Sequence, residues 1–153
     1  MELRTGGGFS TAKPSRLRNA VVPGGYGPEH VNVAAQRRDP SSLYSFVRTL
    51  VQHYRNAPEF GWGAFAVIDQ PAASVLAHAL SWDGRTVVAV HNFASAPVSV
   101  PLRLGAEHGG CRIDDLLTGE STETDARGGL TVELDGYGFR WLRIVPAGEQ
   151  LQY

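Results

Sequence analysis

Gly84-Arg85-Thr86-Val87-Val88-Ala89-Val90-His91-Asn92-Phe93 runs directly into Ala94-Ser95-Ala96-Pro97-Val98-Ser99-Val100-Pro101-Leu102. The first segment is β-branched and apolar on both phases of a two-residue period, the pattern of a central strand covered on both faces. The second alternates: Val98, Val100, Leu102 and Leu104 point one way, and Pro97, Ser99, Pro101 and Arg103 the other. Both prolines fall on the outward phase, so this segment reads as an edge strand, where a missing N–H costs nothing. The short Ala-Ser-Ala link then predicts a hairpin at the heart of an antiparallel sheet.

Strands and turns alternate on both sides of that pair. Ala64–Ile68 reads as a strand closed by Asp69-Gln70-Pro71, and Val75–Trp82 as one closed by Asp83-Gly84, a dipeptide suited to a tight hairpin turn. Downstream come Arg112–Leu117, a weak strand near Ser121–Asp125, Leu130–Leu134 and Tyr137–Val145, separated by Thr118-Gly119 and Arg127-Gly128-Gly129. Short strands at this spacing predict a mainly β fold, an antiparallel Greek-key-like β-sandwich of seven or eight strands. Before them, Leu43, Phe46, Val47, Leu50, Val51 and Tyr54 recur at three- and four-residue spacing and form one apolar helical face. Asp39 is the expected cap and Pro40 the first helical residue, with Pro58 stopping the helix near Asn56 or Ala57. Residues 1–30 hold Gly6-Gly7-Gly8, Pro14 and Pro23-Gly24-Gly25-Tyr26-Gly27-Pro28 and read as loop. Neither glycine cluster has the Gly-Lys-Ser/Thr or the preceding strand that a phosphate loop needs.

Composition narrows the function classes. The 153 residues carry a net charge of −1, with 19% charged residues, and so present no broad field to recruit nucleic acid or anionic membrane. No apolar run approaches the ~18 residues of a membrane span. The single cysteine, Cys111, fits a reducing compartment, and a cytoplasmic protein is expected.

Candidate chemistry is sparse. His30, His53, His78, His91 and His108 show none of the spacings of a metal site, so no metal and no cofactor are expected. There is no Gly-x-Ser-x-Gly elbow, and Cys111 sits in a loop before a strand. Asp69, Asp83, Asp114, Asp115, Glu120, Glu123, Asp125, Glu133 and Asp135 fall mostly in turns or on solvent phases, the ordinary place for carboxylates. No catalytic residue is assigned. Among the aromatics, Trp141, Phe139 and Tyr137 share a strand phase and are expected to serve packing, Trp141 being buried. Trp62 and Trp82 border glycines or a turn and are the two candidate carbohydrate contacts.

Val31-Asn32-Val33-Ala34-Ala35-Gln36 followed by Asp39-Pro40-Ser41-Ser42-Leu43 resembles the α-amylase superfamily of glycoside hydrolases, in the trehalose synthase, oligo-1,6-glucosidase and α-glucosidase branch. In that family an Asn-Val-x-x-Gln segment leads through Asp-Pro-x-Ser-Leu into the last helix of a (β/α)8 barrel. Arg4-Thr5 and Gly8-Phe9-Ser10 are similar to the preceding loop, without its Pro-Met-Gln-Trp. Val87–Phe93, Asp114-Leu116-Leu117-Gly119-Glu120 and Leu130–Leu134 leading to Tyr137–Leu142 are similar to the C-terminal β-domain. The resemblance implies residues 1–38 as a loop-rich remnant of the barrel, 39–57 as its last helix and 58–153 as the β-sandwich. The family's catalytic carboxylates precede this region, and no residue here matches them. His91-Asn92-Phe93 is not the family's Asn-His-Asp motif.

The expected function is therefore a non-catalytic C-terminal domain that stabilises the catalytic barrel of a parent or companion chain. Self-association through the helix stripe is a second expected contact. The alternative is an autonomous carbohydrate-binding module.

Overall fold

The computed structural model describes residues 12–18, 24–27 and 30–146. Arg4-Thr5, Gly6-Gly7-Gly8, Gly8-Phe9-Ser10, Pro23 and Pro28 lie outside the described residues. The chain divides into two compact units, Met1–Gln52 and His53–Tyr153.

In the first unit the Asn-Val-x-x-Gln and Asp-Pro-x-Ser-Leu segments prove to be one capping assembly. Asn32 caps α1 (Val33–Gln36), its Oδ1 accepting the Ala35 N–H at 2.7 Å. Gln36 then holds the start of α2 (Leu43–Arg55): its carbonyl accepts the Ser42 hydroxyl at 2.6 Å and its Oε1 accepts the Tyr44 N–H at 3.1 Å. Free N–H groups at a helix start need such partners. Asp39 is not the cap. Its Oδ1 accepts the N–H and hydroxyl of Ser41, closing a turn, and these bonds hold its carboxyl below the usual aspartate range. Ser42 takes over as cap, its Oγ 3.2 Å from the Ser45 N–H, so α2 begins three residues later than Asp39 would have set it.

The strands of the second unit are all antiparallel; ahead of them lies the short helix α3 (Glu59–Trp62), which Pro58 initiates after α2 has ended. Its strands are β1 (Ala64–Val67), β2 (Val75–Trp82), β3 (Arg85–Asn92), β4 (Val98–Arg103), β5 (Arg112–Asp115), β6 (Ser121–Glu123), β7 (Gly129–Leu134) and β8 (Phe139–Val145). They form a six-stranded sheet, β1-β2-β3-β8-β5-β6, and a two-stranded sheet, β4-β7. Asp83 and Gly84, at φ of 49° and 72°, make the two-residue turn that pairs Trp82 with Arg85. The core lies between the sheets. Val75, Ala77, Val88, Val90, Leu142 and Ile144 face Val100, Leu102, Val132 and Leu134 across it.

One expectation is overturned. β3 and β4 are not a hairpin: they lie in different sheets, and β4 pairs with β7 alone. The buried side chain of Asn92 supplies the reason. Its Nδ2 donates to the Ala96 carbonyl at 2.8 Å and the Asp135 carbonyl at 3.0 Å, while its Oδ1 accepts the Ala94 N–H at 3.0 Å and the Ser74 hydroxyl at 3.2 Å. The link is thereby turned across the core instead of back along β3. Val88–Val90 and Val100–Leu102 then meet face to face through their side chains.

Candidate functional site

The outer face of the six-stranded sheet is the surface with unusual chemistry. Register places Leu80, Val87 and Arg143 in one row on that face, His78, Ala89 and Trp141 in the next, and Leu76, His91 and Phe139 in a third.

Half of this face is covered by α3. Its first residue, Glu59, is completely buried, and the Arg143 Nη2 donates to its Oε2 at 3.1 Å and to the Asn56 carbonyl at 3.4 Å. Glu59 Oε1 and Arg143 Nε are buried with no partner. Phe60 lies over Trp141 at 4.5 Å between ring centroids, so the expected burial of Trp141 holds, but beneath α3 and not in the core between the sheets. Gly63 admits the close passage from α3 into β1: a Cβ there would collide with the Glu59 carbonyl and sit 3.1 Å from the Leu80 carbonyl carbon and the Ser81 nitrogen.

The other half is open. Phe65, Val67 and Phe93 are 61%, 62% and 66% exposed, and Leu76 is also exposed. Between them runs a row of rings, with centroids 5.0 Å apart from Phe65 to His78, 6.0 Å from His78 to His91 and 5.9 Å from His91 to Phe139. The two imidazoles are stacked within 5° of parallel. Burial lowers the pKa of His78 below its ordinary value; burial and then the neighbouring His78 lower that of His91. His78 Nδ1 is buried without a partner, so a proton there would find no acceptor. The sequence reading missed this pair, although its signal was present. Once Asp83-Gly84 is taken as a two-residue turn, Trp82 faces Arg85 and the two histidines fall diagonally opposite on one face.

The carboxylates divide in two. Asp115 is buried, contrary to a solvent-phase reading: its Oδ2 accepts Arg140 Nη1 at 3.0 Å and its Oδ1 accepts the N–H groups of Leu117 at 2.8 Å and Thr118 at 3.3 Å. It floors a cleft of about 480 Å³ that also takes in Glu120, Ser121, Thr131, Glu133 and Arg140. These bonds occupy Asp115 in fixing the β5–β6 turn. Asp125 accepts the N–H groups of Arg127 and Gly129, which hold its carboxyl below the usual range. Among the described residues, no three His, Cys, Asp or Glu side chains gather where they could hold a metal ion.

Trp62 is 77% exposed at the end of α3, and Trp82 is 40% exposed at the end of β2, on the outer phase shared with Leu80. Close passage of Gly63 against Ser81 brings both indoles to the same end of the sheet. On α2, Leu43, Val47 and Val51 are exposed along the apolar stripe. Among the described residues no helix is long and apolar enough to cross a membrane.

Residues 84–143 match the family model of the sucrose hydrolase-like C-terminal domain. Over 146 residues the chain is 35% identical to a trehalose synthase/amylase of Mycobacterium tuberculosis, an alignment covering 90% of this chain and 23% of that protein. A trehalose synthase of a Pimelobacter species is 30% identical over 142 residues, covering 90% of this chain and 25% of that one. Among solved structures, the trehalulose synthase MutB of Pseudomonas mesoacidophila superposes with a TM-score of 0.61 at 31% identity, over 90% of this chain and 23% of that one. The chain thus spans about a quarter of the length of the relatives it matches. The resemblance to the C-terminal region of α-amylase-superfamily enzymes, read from the sequence, is borne out by these matches.

Proposed function

We propose that this chain, matching over 90% of its length a segment that makes up 23% of a trehalose synthase/amylase, is the non-catalytic C-terminal region of an enzyme of that kind, stabilising its catalytic barrel. That ratio is the observation that carries the reading: what these residues do is done beside the other three quarters of such a protein. In this reading residues 1–38 are a barrel remnant, 39–57 the last barrel helix and 58–153 the β-domain. The exposed stripe of α2 supports it, because an amphipathic helix of 13 residues gains its stability from a covered face. The barrel, in the same or a companion chain, is the partner that covers it; without the barrel the stripe supports self-association. The setting is cytoplasmic.

Glycoside transfer needs a nucleophile or base and an acid flanking the sugar. The carboxylates given roles above serve instead as turn-formers or ion-pair partners. Purified chain assayed with maltose, trehalose, sucrose and a nitrophenyl glucoside is expected to give no turnover. Turnover that a single Asp or Glu substitution abolishes would contradict the reading.

The exposure of Trp62 and Trp82 at one end of the sheet favours a second reading, a carbohydrate-binding module. A sugar on either indole would perturb its fluorescence. The domain reading predicts no saturable change with maltose, maltotriose or trehalose. Saturable quenching removed by Trp62→Ala or Trp82→Ala, with circular dichroism unchanged, would establish the module instead.

A further inference from the structure

The outer sheet face is built to be covered, and α3 covers half of it by laying Phe60 on Trp141. The open half continues the same surface without a break, from Trp141 to Phe139 at 6.4 Å and on through the histidine row. The ring row itself carries no carboxylate, lysine or arginine; the exposed Asp69, two residues past Val67 on the outward phase of β1, lies at its margin opposite Leu76. β1 contributes Phe65 and Val67, β8 contributes Phe139 and Trp141, and the titratable groups on this side are His78, His91, the exposed Asp69 just past the end of β1 and the exposed Tyr137 ahead of the start of β8. Arg143 lies further along β8 and is engaged by Glu59. A surface whose ring row is uncharged complements an apolar protein surface. It is a poor sugar platform, because a pyranose stacks on a ring face and in this row the faces are turned towards neighbouring rings.

Resting on the function proposed above, we propose that Phe65, Val67, Leu76, His78, His91 and Phe93 form the surface on which the catalytic part of such an enzyme docks, and that docking requires both imidazoles neutral. The occupant is identified by what surrounds this segment in its relatives, where three quarters of the chain lies outside the matched region. α3, the element just before the sandwich, already occupies the adjoining half.

Neutrality matters because docking removes the remaining water from two stacked rings that have no counter-ion. A single proton would leave a buried charge, and a second would add like-charge repulsion at 6.0 Å between rings. Both pKa values are already lowered in the free chain and fall further on docking, so association releases protons. Affinity is therefore constant above the free-chain values and declines as pH falls through them. Folding follows the same sign. Below about 6.5, the ordinary imidazole value, the unfolded chain binds protons that the folded chain does not, so stability falls with pH until the lowered folded values are passed.

The test uses the full 153-residue chain and the trehalose synthase/amylase relative of Mycobacterium tuberculosis lacking its matched region, with association measured by titration calorimetry across pH. As pH is lowered from about 7.5 to 5 the dissociation constant is expected to rise, by up to about tenfold per ring for each unit that pH falls below that ring's free-chain value. His78→Gln/His91→Gln should bind at every pH as the native chain does at neutral pH. Leu76→Asp and, independently, Val67→Asp on the edge strand should each weaken binding by about 30-fold or more by placing a charge in the contact. No association at any pH, with both parts folded, would overturn the functional reading and this face with it. Association that both aspartate variants leave intact would overturn the face alone. A native profile flat with pH would overturn the imidazole requirement. Retention of the chain on insoluble α-glucan, lost in Phe65→Ala and Phe93→Ala, would make the face a sugar platform and overturn the docking proposal.

Discussion

Arg143→Met is expected to cost about 3–5 kcal/mol of folding stability, because it leaves the Glu59 carboxylate fully buried without its counter-ion. In a domain of this size that lowers the melting temperature by about 10 °C or more. The pair itself is not the source of the stability, since desolvating two charges offsets most of their attraction. Glu59→Met/Arg143→Met should therefore recover most of the loss by filling the same space with apolar side chains. Two orphaned atoms, Glu59 Oε1 and Arg143 Nε, reinforce this expectation, because the native pair leaves hydrogen-bonding capacity unused. Urea denaturation of the single and double variants checks it. A double variant as unstable as Arg143→Met would show that the ion pair contributes net stability.

Asn92→Ala should cost about 2–4 kcal/mol, from four lost hydrogen bonds and two buried carbonyls left short of a donor. The effect exceeds that of a usual turn substitution because this side chain ties β3, the β3–β4 link and the β7–β8 link together. Asn92→Asp, nearly identical in shape, should be comparably damaging. It replaces the donor to Ala96 and Asp135 with an acceptor. Equilibrium unfolding of the two variants, with the loss largest near neutral pH for aspartate, is the measurement. A loss under about 0.5 kcal/mol, the scale of a surface change, would show that the strand crossing is set elsewhere.

These two residues also mark where sequence reading stops. Strand positions were legible, because alternation along Val75–Trp82 and Leu130–Leu134 and the Asp83-Gly84 turn are local signals. Whether β3 and β4 pair side by side or cross between sheets was not. Both arrangements bury the same alternating residues, and the choice rests on Asn92 reaching the Asp135 carbonyl 43 positions away. Glu59 behind Pro58 looks like an ordinary solvated helix-start carboxylate. Its burial depends on Arg143, 84 positions later. The motif around Asn32 and Gln36 was recognisable by resemblance before its physical role was apparent. That role, side-chain capping of two successive helices, depends on a Gln36–Tyr44 contact that no periodicity announces. Trp62 and Trp82 are exposed beside the glycine and turn residues that singled them out in the sequence, whereas the histidine row needed register.

The most direct test of the central proposal is the thermal stability of that same relative, stripped of its matched region, with this chain added in excess. A partner that binds only the folded state stabilises it by about 2.7 kcal/mol at a hundredfold excess over the dissociation constant. A melting temperature that rises with added chain, at neutral pH and without any turnover by the chain alone, is the predicted result. An unchanged melting temperature at saturating concentrations of folded chain would contradict the assignment of this protein as a barrel-stabilising domain.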